Sequence, residues 1–351
     1  MTAVHFVVPA GIDDPARPSG GNGYDRRIAR GLDAAGWTVH LHEVPGSWPW
    51  PEARSLGALG AVVRGIPDDA LVLLDGLVAS PAPEVLSSET GRLRLVVLVH
   101  MPLGQRTTDD GAREREGTVL SAAASVVTTS AWARRALLEL YALPGDRVQV
   151  AEPGVDRAEL APGTETAGAL LSVAAVIPAK GHDVLLEALA PLAGLRWQCE
   201  CVGSLERDPV FVDRLRQRVR DGGMDGRVRF SGPRVGTDLA RSYAAADLLV
   251  VPSRAETYGM VIAEALAHGL PIVAAEVGGV PEALGRSADG TRPGLLVPAG
   301  DPAALRDALR AWLADPGLRR RLRAAARERR AALAGWSTTT AAVAEVLQGA
   351  A

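Results

Sequence analysis

The sequence predicts an α/β protein with two doubly wound, Rossmann-like domains. Short apolar runs alternate with segments of helical periodicity through both halves of the chain. Continuous Val, Leu and Ile runs bounded by turn residues are typical of strands in parallel sheets that helices cover on both faces. The length of 351 residues suits two domains better than one, and the hydrophobic fraction of 47% can supply two cores.

Six strands are predicted in each half, in chain order. The first half contains His5–Pro9, Val39–Val44, Leu71–Leu74, Leu95–Val99, Ser125–Thr129 and Val148–Ala151. The second half contains Leu170–Ile177, Trp197–Val202, Val228–Ser231, Leu248–Pro252, Ile272–Ala275 and Leu295–Val297. Helical segments separate the strands, so the chain contains two successive βαβ series.

The domain boundary is expected where the periodicity stops. Residues 1–156 form the first predicted domain and residues 168–335 the second. The segment between them, 157–167, is polar and has no period, which is typical of a linker. The last three helices are predicted at Ala303–Ala314, Gly317–Ala334 and Thr338–Leu347, the final one within residues 336–351.

Composition excludes several classes of function. The net charge of −3 and the aromatic content of 4% argue against a nucleic-acid-binding protein. The N-terminus enters a strand-like run directly, and no apolar stretch approaches the roughly 20 residues of a membrane span. We therefore expect a cytoplasmic protein without a transmembrane segment. Cys199 and Cys201 are expected to be buried thiols in a reducing compartment, and neither a disulfide nor a metal pair is expected there.

The penultimate helix is rich in arginine. Its arginines are Arg319, Arg320, Arg321, Arg323, Arg327, Arg329 and Arg330. A solvated basic face is the favoured interpretation, and peripheral contact with an anionic membrane surface is the alternative.

One lysine, Lys180, stands among the 38 lysine and arginine residues. Lysine carries a compact ammonium, whereas arginine carries a planar fork. A chain that otherwise uses arginine and keeps one lysine indicates a position that needs an ammonium, although one residue could also remain by chance. Lys180 follows an apolar run and precedes a helical pattern, where an α/β protein places a phosphate or a catalytic group.

Two features of the first half are candidate ligand contacts. Gly20 and Gly21 follow the first strand and open a helix, so they could approach a diphosphate or a sugar, or form a structural turn. Their spacing is not the dinucleotide fingerprint. His100 ends a predicted strand, where a substrate contact and a structural hydrogen bond are both open interpretations.

The most informative segment runs from Val250 to Gly269. A strand ends at its start, Glu256 lies in the following loop, and a helix that carries Glu264 is predicted from about Gly259 to a C-cap at Gly269. Eight helical residues would span roughly 12 Å, similar to the reach from a sugar across a diphosphate to a ribose. The helix N-terminus between the two carboxylates can hold phosphate oxygens.

This segment resembles the two-glutamate motif, with seven residues between the acids, of the family-four retaining glycosyltransferases, which have the GT-B fold. Further matching segments follow in that family's order: Tyr243-Ala244-Ala245-Ala246-Asp247, Pro252-Ser253, Gly269-Leu270-Pro271-Ile272-Val273-Ala274, Gly278-Gly279-Val280-Pro281-Glu282 and Gly294-Leu295-Leu296-Val297. Pro153-Gly154-Val155-Asp156 and Gly20-Gly21 are similar to its domain boundary and its N-terminal glycine loop. The resemblance covers nearly the whole chain.

The resemblance implies a nucleotide-sugar donor on the second domain, a hydroxyl acceptor on the first, and reaction in the cleft between them. Glu256 would contact the donor sugar, Glu264 would bind the ribose, Lys180 would neutralise the diphosphate, and His100 would lie near the sugar. Backbone donors would come from Thr257, Tyr258, Gly259 and Met260. Neither a metal nor a cofactor is implied beyond the donor substrate, and residues 336–351 would pack back on the first domain.

One position departs from the family pattern. The family places an arginine five residues before the lysine, and here that position is Ala175. Arg254 and Arg234 follow strand ends of the second domain, so we expect one of them to reach the diphosphate. The predicted function is retaining glycosyl transfer without a metal. The alternatives are a catalytically impaired nucleotide-sugar-binding module, which Ala175 supports, and a nucleotide-sugar epimerase of GT-B type.

Overall fold

Two six-stranded parallel sheets organise the chain in the computed structural model, which describes residues 2–16, 18–105 and 109–351. The first sheet contains β1 (Ala3–Pro9), β2 (Thr38–Val44), β3 (Leu71–Asp75), β4 (Arg94–Val99), β5 (Ser125–Thr128) and β6 (Val148–Val150). The second contains β7 (Ala169–Val173), β8 (Gln198–Val202), β9 (Val228–Gly232), β10 (Leu248–Val251), β11 (Ile272–Ala275) and β12 (Gly294–Val297). The predicted α/β class is confirmed.

The order of strands is that of doubly wound sheets. The first sheet runs β2-β1-β3-β4-β5-β6, and the second runs β12-β11-β10-β7-β8-β9. All recorded strand pairs are parallel. The order reverses between β1 and β3 in the first sheet and between β10 and β7 in the second. Ligands of such sheets bind beyond the strand ends at these reversal points.

Helices fill the connections between strands. In the first half they are α1 (Gly20–Ala34), α2 (Ala53–Arg64), α3 (Gly76–Ala79), α4 (Pro83–Leu86), α5 (Asp110–Ala122) and α6 (Ala131–Tyr141). They continue with α7 (His182–Leu189), α8 (Pro209–Asp221), α9 (Gly236–Ala244), α10 (Met260–Ala267), α11 (Val280–Leu284), α12 (Pro302–Ala314), α13 (Pro316–Ala331) and α14 (Trp336–Ala350).

The predicted strand limits agree with the structure to within one or two residues, with one exception. The run Leu170–Ile177 was expected to be a single strand, but β7 ends at Val173. The apolar residues that follow still lie against the end of β8: the Ala174 N–H donates to the Val202 carbonyl oxygen at 2.9 Å, and a side chain at Gly203 would collide with the Ala174 carbonyl oxygen. The chain then forms a 3₁₀ turn, Pro178–Lys180, which brings the lone lysine to the end of the strand.

The described chain divides into two units. Unit 1 contains Met1–Asp13, Gly20–Gly154 and Gly335–Ala351, and unit 2 contains Asp14–Ser19 and Val155–Ala334. Within unit 1, α14 packs against α1, and a side chain at Gly31 would collide with Thr340. The close approach of the Thr340 side chain to the α1 backbone explains why α1 carries a glycine in its middle.

Each sheet of the two units has apolar cores on its faces. In unit 1, β1 alternates Val4, Phe6 and Val8 toward α1 and α14, while Val7 belongs to a second core with α2. In unit 2, Cys199 and Cys201 are buried free thiols in the core, as predicted. Strands such as β3 and β10 are buried along their whole length, which is why they appear in the sequence as unbroken apolar runs.

The segment 157–167 contains neither helix nor strand, yet it is bound to the rest of unit 2. The backbone N–H and hydroxyl of Thr164 donate to the Asp247 carboxylate at 2.8 and 2.5 Å. The N–H of Ala161 donates to the His268 carbonyl oxygen at 2.9 Å. The segment is therefore an ordered part of unit 2, although its polar sequence suggested a linker.

Several arginines of α13 serve unit 2 itself. Arg323 forms an ion pair with buried Asp247 at 2.8 Å, Arg319 donates to two carbonyl oxygens at the end of α12, and Arg330 donates to the carbonyl oxygen of Ala267. The basic face that was expected to be solvated is thus partly engaged in packing. Among the described residues, no helix combines the length and the apolar character that crossing a bilayer requires.

Candidate donor site and a buried acid–histidine cluster

Lys180 and Glu256 are bonded to each other in unit 2. Lys180 follows β7 and Glu256 follows β10, the two neighbouring strands at which the order of the second sheet reverses. The Lys180 Nζ lies 2.5 Å from Glu256 Oε1, and Ser253 Oγ donates to the same oxygen at 3.0 Å. The side chains are 26% and 12% exposed, so the pair remains open to a ligand.

Arg254 holds the lysine turn in place. Its backbone N–H donates to the Ala179 carbonyl oxygen at 2.8 Å, and its guanidinium donates to the Pro178 carbonyl oxygen at 2.7 Å. The same guanidinium forms two bonds to the Asp183 carboxylate, at 2.8 and 2.7 Å. Burial would raise the pKa of Asp183, but the bonds from Arg254 outweigh burial and hold that pKa below its usual range.

Arg234 is also paired with a carboxylate. Its guanidinium donates to Glu200 at 2.9 and 3.3 Å and to Ser242 Oγ at 2.6 Å. One of these two arginines was expected to compensate for Ala175, but each already forms an ion pair with an acid. Reaching a diphosphate would require either of them to leave this partner.

The Glu256 loop rests on the turn after β11. Gly278 has a φ of +54°, and a side chain there would collide with the Glu256 carbonyl oxygen. A side chain at Gly279 would meet the Thr257 carbonyl oxygen, and the Gly279 N–H donates to the Glu256 carbonyl oxygen at 3.2 Å. Two glycines in succession therefore let the turn touch the backbone that carries Glu256.

The helix after this loop begins as predicted and ends slightly earlier. Gly259, with a φ of +91°, precedes α10, and Met260 is its first residue. Thr257 is half-buried and Tyr258 is buried, so these two residues join the loop to the core. The helix ends at Ala267, and the predicted C-cap Gly269 lies two residues beyond it with a φ of +69°.

Glu264 lies on α10 with a tyrosine as partner. The Tyr243 hydroxyl donates to Glu264 Oε2 at 2.6 Å, and the Tyr243 ring stacks on His268 with centroids 5.2 Å apart. Burial, and then the nearby Glu264 charge, raise the pKa of Tyr243 well above its usual range, so the phenol remains a donor. A half-buried carboxylate in an apolar helix thus has the partner it needs.

His100 belongs to a cluster of unit 1 that the sequence did not reveal. Its Nε2 lies 2.7 Å from Asp25 Oδ1. One ring nitrogen of His100 and one carboxyl oxygen each of Asp25 and Asp75 lie within 4.8 Å of one another. Asp25 and Asp75 are 0% and 1% exposed. An available signal was the apolar setting of both acids: Asp75 ends the run Leu71–Leu74, and Asp25 shares a helix face with buried Ile28.

Gly20 and Gly21 lie in the first turn of α1, in agreement with the prediction that they open a helix. A Cβ at Gly21 would lie 3.2 Å from His100 Cδ2. The missing side chain at Gly21 therefore allows the imidazole to approach the helix, which gives this glycine a packing reason.

The comparisons with known proteins identify one family. A family model described as "Glycosyl transferases group 1" matches residues 167–315. The D-inositol 3-phosphate glycosyltransferase 1 of Catenulispora acidiphila is 35% identical over 320 residues, covering 85% of this chain and 69% of the relative. The D-inositol 3-phosphate glycosyltransferase of Frankia alni is 34% identical over 273 residues, covering 69% of this chain but only 63% of the relative.

Solved structures share the fold along the whole chain. A sucrose-phosphate synthase from Thermosynechococcus elongatus has a TM-score of 0.79 with 23% identity, covering 99% of both chains. Anabaena HepE, solved with UDP-glucose, has a TM-score of 0.78 with 18% identity, covering 99% of this chain and 100% of HepE. The chain therefore belongs to the group 1 glycosyltransferases, glycosyltransferase family four, and has the GT-B fold.

Proposed function

We propose that the chain transfers a glycosyl group from a nucleotide sugar to a hydroxyl acceptor with retention of anomeric configuration, and that it uses neither a metal nor another cofactor. The observation that carries this proposal is the 2.5 Å contact between Lys180 and Glu256 at the reversal point of the second sheet. It joins the lone lysine to the first acid of the family motif.

In this mechanism the residues of unit 2 hold the donor. Lys180 turns from Glu256 to the diphosphate and stabilises the charge that develops as the anomeric C–O bond breaks. Glu256, still supported by Ser253, contacts the sugar, while Glu264 binds the ribose. Backbone N–H groups from Thr257 to Met260 are donors for sugar or phosphate oxygens. The leaving diphosphate oxygen accepts the proton of the attacking hydroxyl on the same face, which gives retention.

The related proteins suggest which substrates to test first. HepE has been solved with UDP, with UDP and glucose, and with UDP-glucose, so UDP-sugars are the first donors. The curated relatives are named D-inositol 3-phosphate glycosyltransferases, so D-inositol 3-phosphate is the first acceptor to test. The chain covers less than two thirds of the length of the Frankia relative, so donor and acceptor are both proposals.

The test is a proton NMR assay with UDP-, GDP-, ADP- and dTDP-sugars and a panel of hydroxyl acceptors, in buffer that contains EDTA. We expect one donor to be consumed with formation of a product whose anomeric coupling constant matches that of the donor. An inverted product would contradict retention, and activity that EDTA abolishes would contradict metal independence.

A second candidate is a module that binds a nucleotide sugar without transferring it. Ala175 removes one cation of the family pattern, and Arg254 and Arg234 are both paired with acids. The same donor panel separates the two functions by calorimetry and turnover. Tight binding of one donor with neither transfer nor hydrolysis would favour the module.

A further inference from the structure

Asp25 and Asp75 form a buried acid pair in unit 1. Asp25 Oδ1 faces His100 Nε2, and Asp75 Oδ1 accepts the N–H of Leu77 at 2.7 Å. The second oxygen of each carboxyl, Oδ2, is buried, and no donor to it is recorded among the described residues. The structure thus leaves one unpaired oxygen on each of two neighbouring acids.

A single proton shared between the two carboxyls accounts for the two unpaired oxygens. Two ionised carboxylates side by side in the interior repel each other, and burial disfavours the charge of each. The two side chains lie within hydrogen-bonding reach of each other, so a protonated Asp75 can donate its O–H to Asp25, and one of the two charges disappears. Asp25 then remains the carboxylate that accepts the N–H of His100.

The electrostatics agree with this distribution of protons. Burial raises the pKa of Asp25 to about 7, and burial together with the Asp25 charge raises the pKa of Asp75 well above its usual range. Burial lowers the pKa of His100, so its imidazole is neutral at neutral pH. The other titratable group recorded against His100 is Tyr24, whose ring meets it edge-on at 5.1 Å and whose hydroxyl donates to the Ala151 carbonyl oxygen.

We propose that Asp25 and Asp75 share one proton and act as positioning residues for His100, holding its Nε2–H on Asp25 and presenting Nδ1 to a substrate hydroxyl. The side chain of His100 is 13% exposed, so part of the ring remains accessible. The contact between Nδ1 and a substrate hydroxyl rests on the proposed function, whereas the shared proton and the tautomer do not.

The test is nitrogen-15 NMR of the histidines in the full-length chain, with His100 assigned through His100→Gln. We expect His100 to be the Nε2–H tautomer from pH 6 to 8. His268 is an internal control, because its Nδ1 faces the Glu159 carbonyl oxygen at 3.0 Å and should therefore carry the proton. Asp75→Asn should keep the His100 tautomer, since an amide N–H replaces the acid O–H. Asp25→Asn should mix the tautomers and lower kcat at least tenfold.

Three results would overturn the inference: the Nδ1–H tautomer at His100, two ionised carboxylates in carbon-13 spectra at pH 7, or a stoichiometric metal ion by mass spectrometry whose removal shifts the His100 signals. If Asp25→Asn fails to fold, the wild-type and Asp75→Asn spectra still show which tautomer His100 adopts. The tautomer is measured without turnover, so a chain that is inactive with every donor would refute the proposed function and leave this inference standing.

Discussion

Glu264 illustrates how the residues of this site depend on their hydrogen-bond partners. Its carboxylate accepts the Tyr243 hydroxyl at 2.6 Å, and Tyr243 is held by stacking on His268. A bond to a charged group contributes about 1.5–3 kcal/mol. Part of the ribose-binding role that we propose for Glu264 should therefore depend on the orientation that the phenol gives it.

Tyr243→Phe tests this dependence. The ring and its stacking remain, while Glu264 loses the hydrogen bond from the Tyr243 hydroxyl. We expect the donor Kd to rise at least threefold, with kcat little changed, and Glu264→Gln to weaken binding further. Calorimetric titration with the active donor measures both variants, and an unchanged Kd in both would exclude Glu264 from donor binding.

His182 should make stability depend on pH. It is fully buried, neither ring nitrogen has a partner within the described part of the chain, and burial lowers its pKa to about 4. The folded pKa is below the unfolded value of about 6.5, so the unfolded chain takes up a proton that the folded chain does not as the pH falls from 6.5 toward 4. The free energy of unfolding is therefore unaffected by His182 protonation above pH 6.5 and falls over that range. Between pH 7 and pH 5 the free energy of unfolding should fall by about 2 kcal/mol for this reason.

His182→Leu should remove that contribution. The apolar side chain also removes two unsatisfied nitrogens, so we expect stability at pH 7 to be retained or improved. Urea unfolding at pH 7 and pH 5 measures the difference. The wild-type free energy of unfolding should fall by about 2 kcal/mol more than that of the variant, and equal losses would contradict a neutral buried histidine.

At this scale the sequence predicts residues that are unusual by type or by motif. Lys180 is marked by composition and Glu256 by its motif, and the structure joins them. Asp25 lies in α1 and Asp75 ends β3, with β2 and α2 between them along the chain, so their contact depends on the packing of α1 over the end of β3. Side-chain pairs such as Arg254 with Asp183 are equally invisible to a linear pattern.

At the scale of elements, the loop from Ser253 to Gly259 is positioned by the turn between β11 and α11. Gly278 lies under the Glu256 carbonyl oxygen and Gly279 under that of Thr257. The turn therefore fixes the position of the loop backbone that carries the proposed donor contacts. A larger residue there should move the loop without opening the core.

Gly278→Ala tests this arrangement, with Gly300→Ala as the matched control. Both glycines have positive φ, +54° and +69°, but a side chain at Gly300 would meet open space. Both variants place a side chain at a positive φ, and Gly278→Ala adds the collision with the Glu256 carbonyl oxygen, so it should lose more stability than Gly300→Ala. Only Gly278→Ala should lower kcat/KM, by at least tenfold, because it displaces Glu256. Equal kinetics in the two variants would show that the turn does not position the loop.

Elements are predictable here because their strands are buried on both faces. Unbroken runs such as Leu71–Leu74 and Leu248–Val251 have no amphipathic ambiguity. An error occurs in the run after Val173, which stays apolar although β7 ends there and a 3₁₀ turn, Pro178–Lys180, follows. The sequence predicts that Gly20 and Gly21 open a helix, and they lie in the first turn of α1, where Gly21 leaves room for His100.

For the whole molecule, each unit has its own sheet and its own cores, so donor binding should be visible in one of them. Hydrogen exchange of the full chain with and without the active donor should show slower exchange in segments 174–181 and 252–260. β2 in unit 1 is the internal reference and should be unaffected. Protection confined to unit 1 would move the donor site away from Lys180.

The most direct measurement of the central claim is the effect of Lys180→Ala on kcat/KM for the donor. The control is Arg241→Ala, which removes an exposed cation of unit 2 that is paired with Asp238. Loss of a preorganised cation beside the leaving group should reduce kcat/KM about 100-fold or more, while the control should stay within about twofold of the wild type. A folded Lys180→Ala protein with nearly wild-type kcat/KM would contradict the account.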